Sequence, residues 1–495
     1  MAAISRRSFI KGVAAIPFAT WAARNAKAFG PLVRYDARSA GGIAMLGILA
    51  DAVKAMKARP ESDPRSWLWQ WYTHFVSGAT TKSAEINRIF GTTTTSRSAL
   101  ANETWNTCQS HSGQNSNYFL PWHRMFVYFF EQIVRQVSRR PDFALPYWDY
   151  TSSDPAKRGV VPAHFRMSRD ARFQYLYRPD RTSLANTGQP IHKYQAGDPM
   201  DITKAMAAPN YSTYGDVQGF CRAIDSGIHG RIHVLTGTSK NMGSLSYAGQ
   251  DPLFWVHHSN IDRMWASWNQ NGGVNPSTQT WASRSFVFID GLGQRVTGVI
   301  RDFFDMAALD YTYDAFIPAP ASSTSSTSAA LRVAGGAPQR VAAATTEANL
   351  GATPVKVRLL PVAGTAAAAA VVGLDNTLAG RRSYLVLRNL HTWKQPEVLY
   401  HVYLTPVTGG GLNNTSYAGN INFFDAEFHD HGGGSPLDEA LGENFYSFDV
   451  TDILERLARS GRADVREALA VTFVPGGRPA AGANPMVATI DLVVQ

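Results

Sequence analysis

The histidines are the residues of this sequence whose spacing points most directly to chemistry. His229 and His233, in DSGIHGRIHVL, are spaced i, i+4, which on a helix places both rings on one face about one turn apart. His257 and His258 follow in the aromatic segment FWVHHSNIDRMW and can add a third ring nitrogen. Three imidazoles without a thiolate or a carboxylate favour copper, with zinc and non-haem iron as competitors.

A second group of histidines lies upstream and comprises His74 in WYTHFVSG, His111 in TCQSHSGQ and His123 in FLPWHRMFVYFFE. Each one taken alone is typical of an ordinary buried histidine that bonds a backbone carbonyl. Two separate sets, each ending on an aromatic helix followed by arginine, instead predict two metals held by helices packed in a bundle.

His257 and His258 are adjacent in the sequence, and we do not expect both of them to bind the same metal. Neighbouring residues of a helix point about 100° apart, so we expect only one of the two rings to face the second metal. Spacing alone does not choose between them. Asp262 lies one turn beyond His258 and is a candidate acceptor for its ring nitrogen, outside the ligand set.

The elements that must position these histidines are helices. Helical periodicity runs through 45–56, 66–75 and 122–137, within a region at 29–316 that is rich in Trp, Tyr and Phe. We therefore expect a mainly helical domain over 29–316.

The remainder of the chain has a different composition. Residues 317–347 exchange aromatic residues for Pro, Ser, Thr and Ala, which is typical of a solvated linker. Beyond it, 355–362, 383–390 and 399–404 alternate with the period of two expected of strands. Residues 348–495 are accordingly predicted to form an all-β sandwich.

The N-terminal 28 residues account for much of the positive charge of the chain. The formal net charge is +9, and residues 1–28 contain five basic and no acidic residues, so the remainder carries 9 − 5 = +4. A net charge of this size gives no indication of a nucleic-acid binding surface. The segment SRRSFIK, a modest apolar stretch and AKA at 26–28 are similar to a twin-arginine signal peptide. We expect export by the twin-arginine machinery to the periplasm or outside the cell, without stable membrane insertion, because the apolar run is short and contains Pro17.

The motifs around the histidines resemble those of the tyrosinase, catechol oxidase and haemocyanin group of type-3 copper proteins. The resemblance covers about 30–315 and rests on PWHR with Glu131 downstream, PYWDY, HGRIH, DPLFWVHHSNIDRMW and a closing DYTYD at 310–314. The C-terminal region, with HDH at 429–431 and a late FDVTDIL, is similar to the β-sandwich that follows the oxidase domain in plant-type polyphenol oxidases. This implies a mainly α oxidase domain, a four-helix bundle around a dinuclear copper site, followed by the sandwich.

Carried over to this sequence, the resemblance implies two copper ions as cofactors. The first would be held by His74, His111 and His123, and the second by His229, His233 and His258. The family pattern takes the second histidine of the adjacent pair, so His257 becomes a neighbour close to the substrate mouth.

The implied activity is oxidation of o-diphenols to o-quinones by O₂, with a small phenol as substrate. Asp225 stands where relatives often carry a glutamate that positions a water, and Gly230 stands where some strong monophenol hydroxylases carry asparagine. Leu245 replaces a bulky aromatic residue that shields the second copper in plant enzymes, which predicts a more open pocket. These departures favour diphenol oxidation with weak or absent monophenol hydroxylation. An o-aminophenol oxidase and a haemocyanin-like oxygen-binding protein are the alternatives, whereas a zinc hydrolase is disfavoured because dinuclear zinc sites usually contain carboxylates.

Two further features concern regulation and covalent chemistry. Relatives place a cysteine near the middle ligand of the first copper and join it to that histidine through a thioether, so Cys108 is open to a thioether with His111, a buried thiol or a disulfide with Cys221. In relatives the C-terminal domain covers the copper pocket and keeps the enzyme latent. Phe423 and Phe424 are the candidates for the inserted side chain, although they also suit a sandwich core.

Overall fold

A computed structural model of the protein describes residues 31–109, 117–321, 337–362, 381–408, 411–427, 445–459 and 469–495. Several predictions concern residues outside these ranges: the signal peptide at 1–28, His111 as a ligand, and the HDH segment at 429–431. Across the described part of the chain, no helix is both long enough and apolar enough to span a bilayer.

Residues 31–321 fold mainly as helices. These are α1 (Ala40–Lys57), α2 (Trp67–His74), α3 (Lys82–Phe90), α4 (Ser96–Thr104), α5 (Phe119–Ser138), α6 (Ser183–Thr187), α7 (Thr203–Met206), α8 (Phe220–Arg222), α9 (Gly230–Thr236), α10 (Leu245–Ala248), α11 (Pro252–Gln270) and α12 (Gln279–Ala282). Single 3₁₀ turns lie at Ala163–Phe165, Phe173–Leu176, Ile300–Phe303 and Ala307–Leu309. A wide helical turn, Ala223–His229, joins α8 to α9 and leaves helical geometry at Gly227 (φ −81°, ψ −109°).

Side-chain caps define where two of the histidine-bearing helices begin. Ser66 accepts a hydrogen bond from the Trp69 N–H at the start of α2, and Asp251 accepts one from the Leu253 N–H at the start of α11, where Pro252 fits the first turn. The long helix α5 packs against both α1 and α11. The helices predicted from periodicity are thus confirmed as α1, α2 and α5, with ends that differ by a few residues.

Two pairs of short strands complete this domain. They are β1 (Leu32–Arg34) with β4 (Tyr311–Tyr313), and β2 (Ser285–Ile289) with β3 (Arg295–Val299). β1 and β4 run parallel, with Leu32 opposite Tyr311. This pairing joins the beginning and the end of the helical domain.

A buried charge network links this strand pair to the two long helices. Arg34 in β1 binds Glu131 of α5 through two hydrogen bonds, of 2.9 and 2.8 Å, and donates to Asp262 of α11 at 2.9 Å. Arg124, which follows His123, also binds Asp262. The hydroxyls of Tyr311 and Tyr313 donate to the same carboxylate at 2.6 and 2.7 Å. The closing tyrosine motif is therefore part of the ion-pair network that holds α5 against α11.

The described residues of the C-terminal region form one sheet of nine strands, accompanied by the helix α13 (Thr451–Arg459). The strands are β5 (Gln339–Ala344), β6 (Ala348–Asn349), β7 (Val355–Pro361), β8 (Ser383–His391), β9 (Tyr400–Pro406), β10 (Tyr417–Ile421), β11 (Phe445–Asp449), β12 (Leu469–Pro475) and β13 (Met486–Val494). Their order is β10-β9-β12-β7-β5-β13-β8-β11, and β6 pairs with β13.

This sheet corrects two predictions. The strands form one continuous, barrel-like sheet instead of a two-sheet sandwich, and its end strands approach each other where the Asn422 N–H donates to Tyr446 Oη at 3.1 Å. Alternation predicts which face of a strand is buried but not the order in which strands pair. β5 also lies within 317–347, the predicted linker, because its alanine-rich sequence gives little hydrophobic contrast. The four-helix bundle stays a prediction. Of the histidine-bearing helices, α5 and α11 are long, whereas α2 and α9 are short.

Candidate metal centre

The first histidine group is built by α2, α5 and the segment before α5. His74 is the last residue of α2, and His123 lies near the start of α5, with 5.9 Å between the two ring centroids. Cys108 Sγ lies 3.7 Å from His123 Nε2, and the thiol forms one cluster with both histidines. Neither Cys108 nor Cys221 is in a disulfide, and Cys221 Sγ donates to the Asn117 carbonyl at 3.6 Å. The thioether to His111 stays a prediction.

The second group is built by the wide turn, α9 and α11. The rings of His229 and His233 are 4.6 Å apart, as the i, i+4 spacing predicts. One potential ligand atom from each of His229, His233, His257 and His258 lies within 4.8 Å of the others. The two groups are adjacent, because the His258 ring stacks on that of His123 at 4.3 Å with an interplanar angle of 9°.

Backbone carbonyls orient three of these rings. The Nδ1 atoms of His123, His229 and His233 contact the carbonyls of Phe119, Asp225 and Met242 at 2.9, 3.1 and 2.7 Å. A carbonyl can only accept, so Nδ1 carries the proton and Nε2 presents a lone pair. The Nε2 atoms of His229 and His233 are buried and have no hydrogen-bond partner among the described residues. Buried lone pairs aimed into one cluster fit a bound metal.

Burial keeps three histidines of the second group, His233, His257 and His258, neutral. Burial lowers the pKa of His233, His257 and His258 well below the ordinary value, and neighbouring histidines lower it further. Neutral imidazoles are the form that binds metal, and they suit copper, zinc and iron. The residues present therefore fit the copper pair that the sequence predicts.

The structure corrects the expectation that only one of His257 and His258 turns toward the second metal position. The His257 ring lies 4.8 Å from that of His233 and 5.5 Å from that of His229. His258 lies 5.2 Å from His229 and also contacts the first group. Both rings reach the cluster because the side chains can turn toward it from neighbouring positions on the helix. The choice of His258 as the ligand stays a prediction.

Asp262 does not support His258 as predicted. Its two carboxylate oxygens bind Arg34, Arg124 and the two tyrosine hydroxyls, and both ring nitrogens of His258 lack a hydrogen-bond partner among the described residues. The prediction is wrong because the carboxylate turns to two buried guanidinium groups, which attract it far more strongly than a neutral imidazole can.

The three pocket candidates are all buried. Asp225 lies in the wide turn, with Oδ1 3.3 Å from His229 Nδ1, and forms a cluster with His229 and Asp425 of the C-terminal domain. Burial, followed by the nearby Asp425 carboxylate, raises the pKa of Asp225. Gly230 begins α9, and Leu245 begins α10 within the apolar core of the helical domain.

An aromatic ring from the C-terminal domain covers the second group. The Phe424 ring stacks on His233 with 4.0 Å between the ring centroids and an interplanar angle of 7°, and its centroid lies 5.6 Å from that of His229 in an edge-to-face arrangement. Phe423 instead belongs to the core of the C-terminal sheet, where it packs against Tyr400. The more open pocket expected from Leu245 stays a prediction, and Phe424 of the C-terminal domain occupies the face of His233 in the full chain.

Sequence reasoning did not single out the aromatic residues that separate these histidines from solvent. Phe119 lies 4.6 Å from both His123 and His229, and Phe254 lies 4.2 Å from His258 and 4.8 Å from His74. Both stand in the motifs that identify the histidines, at i−4 from His123 and His258, so helical spacing could have indicated them. Asp425 had no such signal, because its partner Asp225 lies in another domain.

Known proteins match this chain in sequence within the helical domain. Residues 65–195 and 160–271 match the family model described as the common central domain of tyrosinase. A tyrosinase of Hahella sp., HcTyr1, is 31% identical over 290 residues, which cover 54% of this chain and 60% of that protein. The chloroplastic (+)-larreatricin hydroxylase of Larrea tridentata is 29% identical over 299 residues, covering 53% and 45%. The chain thus spans about half the length of the curated relatives it matches.

Solved structures resemble almost the whole chain in fold. Latent apple tyrosinase aligns with a TM-score of 0.59 at 22% identity, covering 94% of this chain and 97% of that one. Latent aurone synthase aligns with a TM-score of 0.60 at 20% identity, covering 94% and 90%. The helical domain followed by a sheet-rich domain is therefore a known arrangement.

The chain shares its fold with latent apple tyrosinase and latent aurone synthase, and its paired histidine groups fit a dinuclear copper site. Residues 65–271 of the chain therefore contain the common central domain of tyrosinase.

Proposed function

We propose that this protein is a copper-dependent oxidoreductase that oxidises o-diphenols to o-quinones with O₂. The observation that carries the proposal is the set of buried imidazoles that converge from α2, α5, the wide turn, α9 and α11, three of which are oriented by a backbone carbonyl. The names of the matched relatives support it. The first copper would be held by His74, His111 and His123, and the second by His229, His233 and His258.

The residues of the chain orient the histidine rings and line an apolar site. When bound, a pair of copper ions supplies the exchange of two electrons between each phenol and O₂, so that two o-diphenols give two o-quinones and one O₂ gives two waters. The carbonyls of Phe119, Asp225 and Met242 fix three of the rings so that their Nε2 atoms would be available to the metals. Phe119 and Phe254 exclude water, and the face of His233 that Phe424 covers is where an aromatic substrate would stack.

The finer specificity that we propose is diphenol oxidation with little monophenol hydroxylation. Asp225 is held against the His229 ring and next to Asp425, so it is poorly placed to position a water that deprotonates a phenol. Initial rates on catechol or dopa, compared with those on tyrosine or tyramine, test this. We expect fast catechol oxidation and slow tyrosine turnover, and brisk tyrosine turnover without a diphenol primer would overturn it. Comparison with an o-aminophenol at equal concentration tests the alternative oxidase activity.

We further propose that the C-terminal domain holds the enzyme latent, with Phe424 as the covering side chain. The stacking of this ring on His233 supports the proposal, and two similar structures are described as latent forms. A haemocyanin-like oxygen-binding role is the second candidate, since covered histidines also suit a protein without turnover. Quinone formation from catechol after cleavage within 317–347 would exclude that role.

We also propose that the protein is exported by the twin-arginine route, on the basis of Arg6 and Arg7 in the N-terminal segment. Cell fractionation of the full chain and of a variant with both arginines changed to lysine tests this. Equal export of the two proteins would contradict it.

A further inference from the structure

The turn that carries Asp225 and His229 presents one backbone carbonyl to the C-terminal domain. The Gly230 N–H donates to the carbonyls of Asp225 and Gly227, whereas in a regular helix it would donate to Ser226. The Ser226 carbonyl accepts hydrogen bonds from Asn422 Nδ2 at 2.8 Å and from Tyr446 Oη at 2.9 Å. Two donors of the C-terminal domain therefore meet an acceptor that the irregular turn releases from the helix.

Gly230 provides the space for Asn422. A Cβ atom placed on Gly230 would lie 2.4 Å from Asn422 Oδ1, well inside van der Waals contact. The backbone does not require glycine here, because φ of −62° and ψ of −35° are ordinary helical values. Helix propensity favours alanine over glycine at such a position. The requirement for glycine thus comes from the side chain of Asn422 in the other domain.

Asn422 also connects this contact to the ring that covers His233. Its Oδ1 accepts a hydrogen bond from the Phe424 N–H at 3.1 Å, and its own N–H donates to Tyr446 Oη at 3.1 Å. Asn422 is buried, with 5% of its surface exposed. One side chain therefore fixes both the docking at Ser226 and the backbone of Phe424.

We propose that Gly230 and the Ser226 carbonyl form a socket for Asn422, and that filling this socket keeps the C-terminal domain over the histidines. The inference rests on the latent state proposed above and names the contact that maintains it. A side chain at position 230 and a docked Asn422 exclude each other. Position 230 therefore influences closure of the pocket in addition to any effect on the substrate.

Hydrogen exchange of the full chain, followed by mass spectrometry, tests the socket. Gly230→Ala and Asn422→Ala should each raise exchange in 222–233 and 417–427 about tenfold or more, since each removes the docked state. The double variant should exchange no faster than Asn422→Ala, because the new methyl group then meets no amide. Tyr446→Phe, which keeps the ring and loses one of the two donors, should give a smaller increase. Gly351→Ala is the matched control, since a Cβ there contacts nothing within 4 Å.

The socket is contradicted if Gly230→Ala exchanges like the unmodified protein, or if the effects of Gly230→Ala and Asn422→Ala simply add. Hydrogen exchange needs neither copper nor turnover, so it separates this inference from the proposed function. If the variants exchange faster but the cleaved, copper-loaded protein fails to oxidise catechol, the proposed function is wrong and the socket is supported. If the cleaved protein oxidises catechol but the variants exchange like the unmodified protein, the socket is wrong and the proposed function is supported.

Discussion

Three histidines, His123, His229 and His233, present Nε2 to the interior because a backbone carbonyl holds Nδ1. Spacing and motif predicted His74, His123, His229, His233 and His258, which the structure brings into the two groups. The predicted ligand His111 lies outside the described residues. The sequence could not predict ring orientation, because the acceptors are backbone carbonyls such as those of Asp225 and Met242, whose positions depend on the fold. The same limit explains why Phe423 and Phe424 could not be distinguished and why Asp262 was assigned the wrong partner.

The choice between the adjacent histidines can be tested by single substitutions. His258→Ala is expected to empty the second copper position, whereas His257→Ala should leave copper largely bound, because the family pattern assigns the ligand to His258. The two rings both lie in the cluster, so each variant serves as the control for the other. Copper per chain, measured by plasma mass spectrometry, gives the result. Loss of copper only from His257→Ala would make His257 the ligand.

At the scale of elements, the network around Arg34, Arg124 and Asp262 holds the two long helices in register beneath the histidines. Periodicity predicted α1, α2 and α5 because these helices have a clear apolar face. It did not predict the wide turn before α9, since its geometry depends on contacts with the C-terminal domain. It also missed the connectivity of the sheet, because strand order depends on contacts between distant segments.

Replacing Asp262 is expected to destabilise the helical domain strongly. Asp262→Asn removes the carboxylate that pairs with buried Arg124 and one of the two that pair with Arg34, so the free energy of unfolding should fall by about 3–5 kcal/mol. Asp51→Asn is the matched control, because Asp51 pairs with Arg172 on the surface, where loss should cost less than about 1 kcal/mol. Urea unfolding measures both. Equal, small losses would contradict a structural role for the network.

The pKa of Asp262 predicts that the protein loses stability in acid. Burial alone would raise the pKa of Asp262, but Arg124 and Arg34 outweigh it and hold the pKa below its usual value. A lowered folded pKa means that the stabilisation is complete above the unfolded pKa of about 3.9 and is lost as the pH falls through the folded value. Urea unfolding between about pH 2 and 6 should therefore show a steeper acid decline for the unmodified protein than for Asp262→Asn. Parallel profiles would contradict this.

At the scale of the whole molecule, the C-terminal domain is part of the histidine site. Phe424 covers His233, and further contacts, such as the ion pair between Arg388 and Asp216, hold the domains together. The sequence predicted two domains from the change in composition. Their interface could not be predicted, because it joins residues that are far apart in the chain and carry no shared motif.

Opening this interface is expected to activate the enzyme. Proteolytic cleavage within 317–347, or Phe424→Ala in the full chain, should raise catechol oxidation about tenfold or more, because the face of His233 becomes available to substrate. Trp393→Ala serves as the control, since it removes an exposed aromatic side chain of the same domain. Initial rates of quinone formation at equal copper content give the comparison. An unchanged rate after both treatments would contradict latency.

The central claim is that the two histidine groups hold a pair of copper ions. Plasma mass spectrometry of the copper-loaded full chain, compared with His233→Ala, tests it most directly. We predict two copper ions per chain in the unmodified protein and one in the variant, because His233 serves only the second position. Copper content that is negligible, or that does not change in His233→Ala, would contradict the claim.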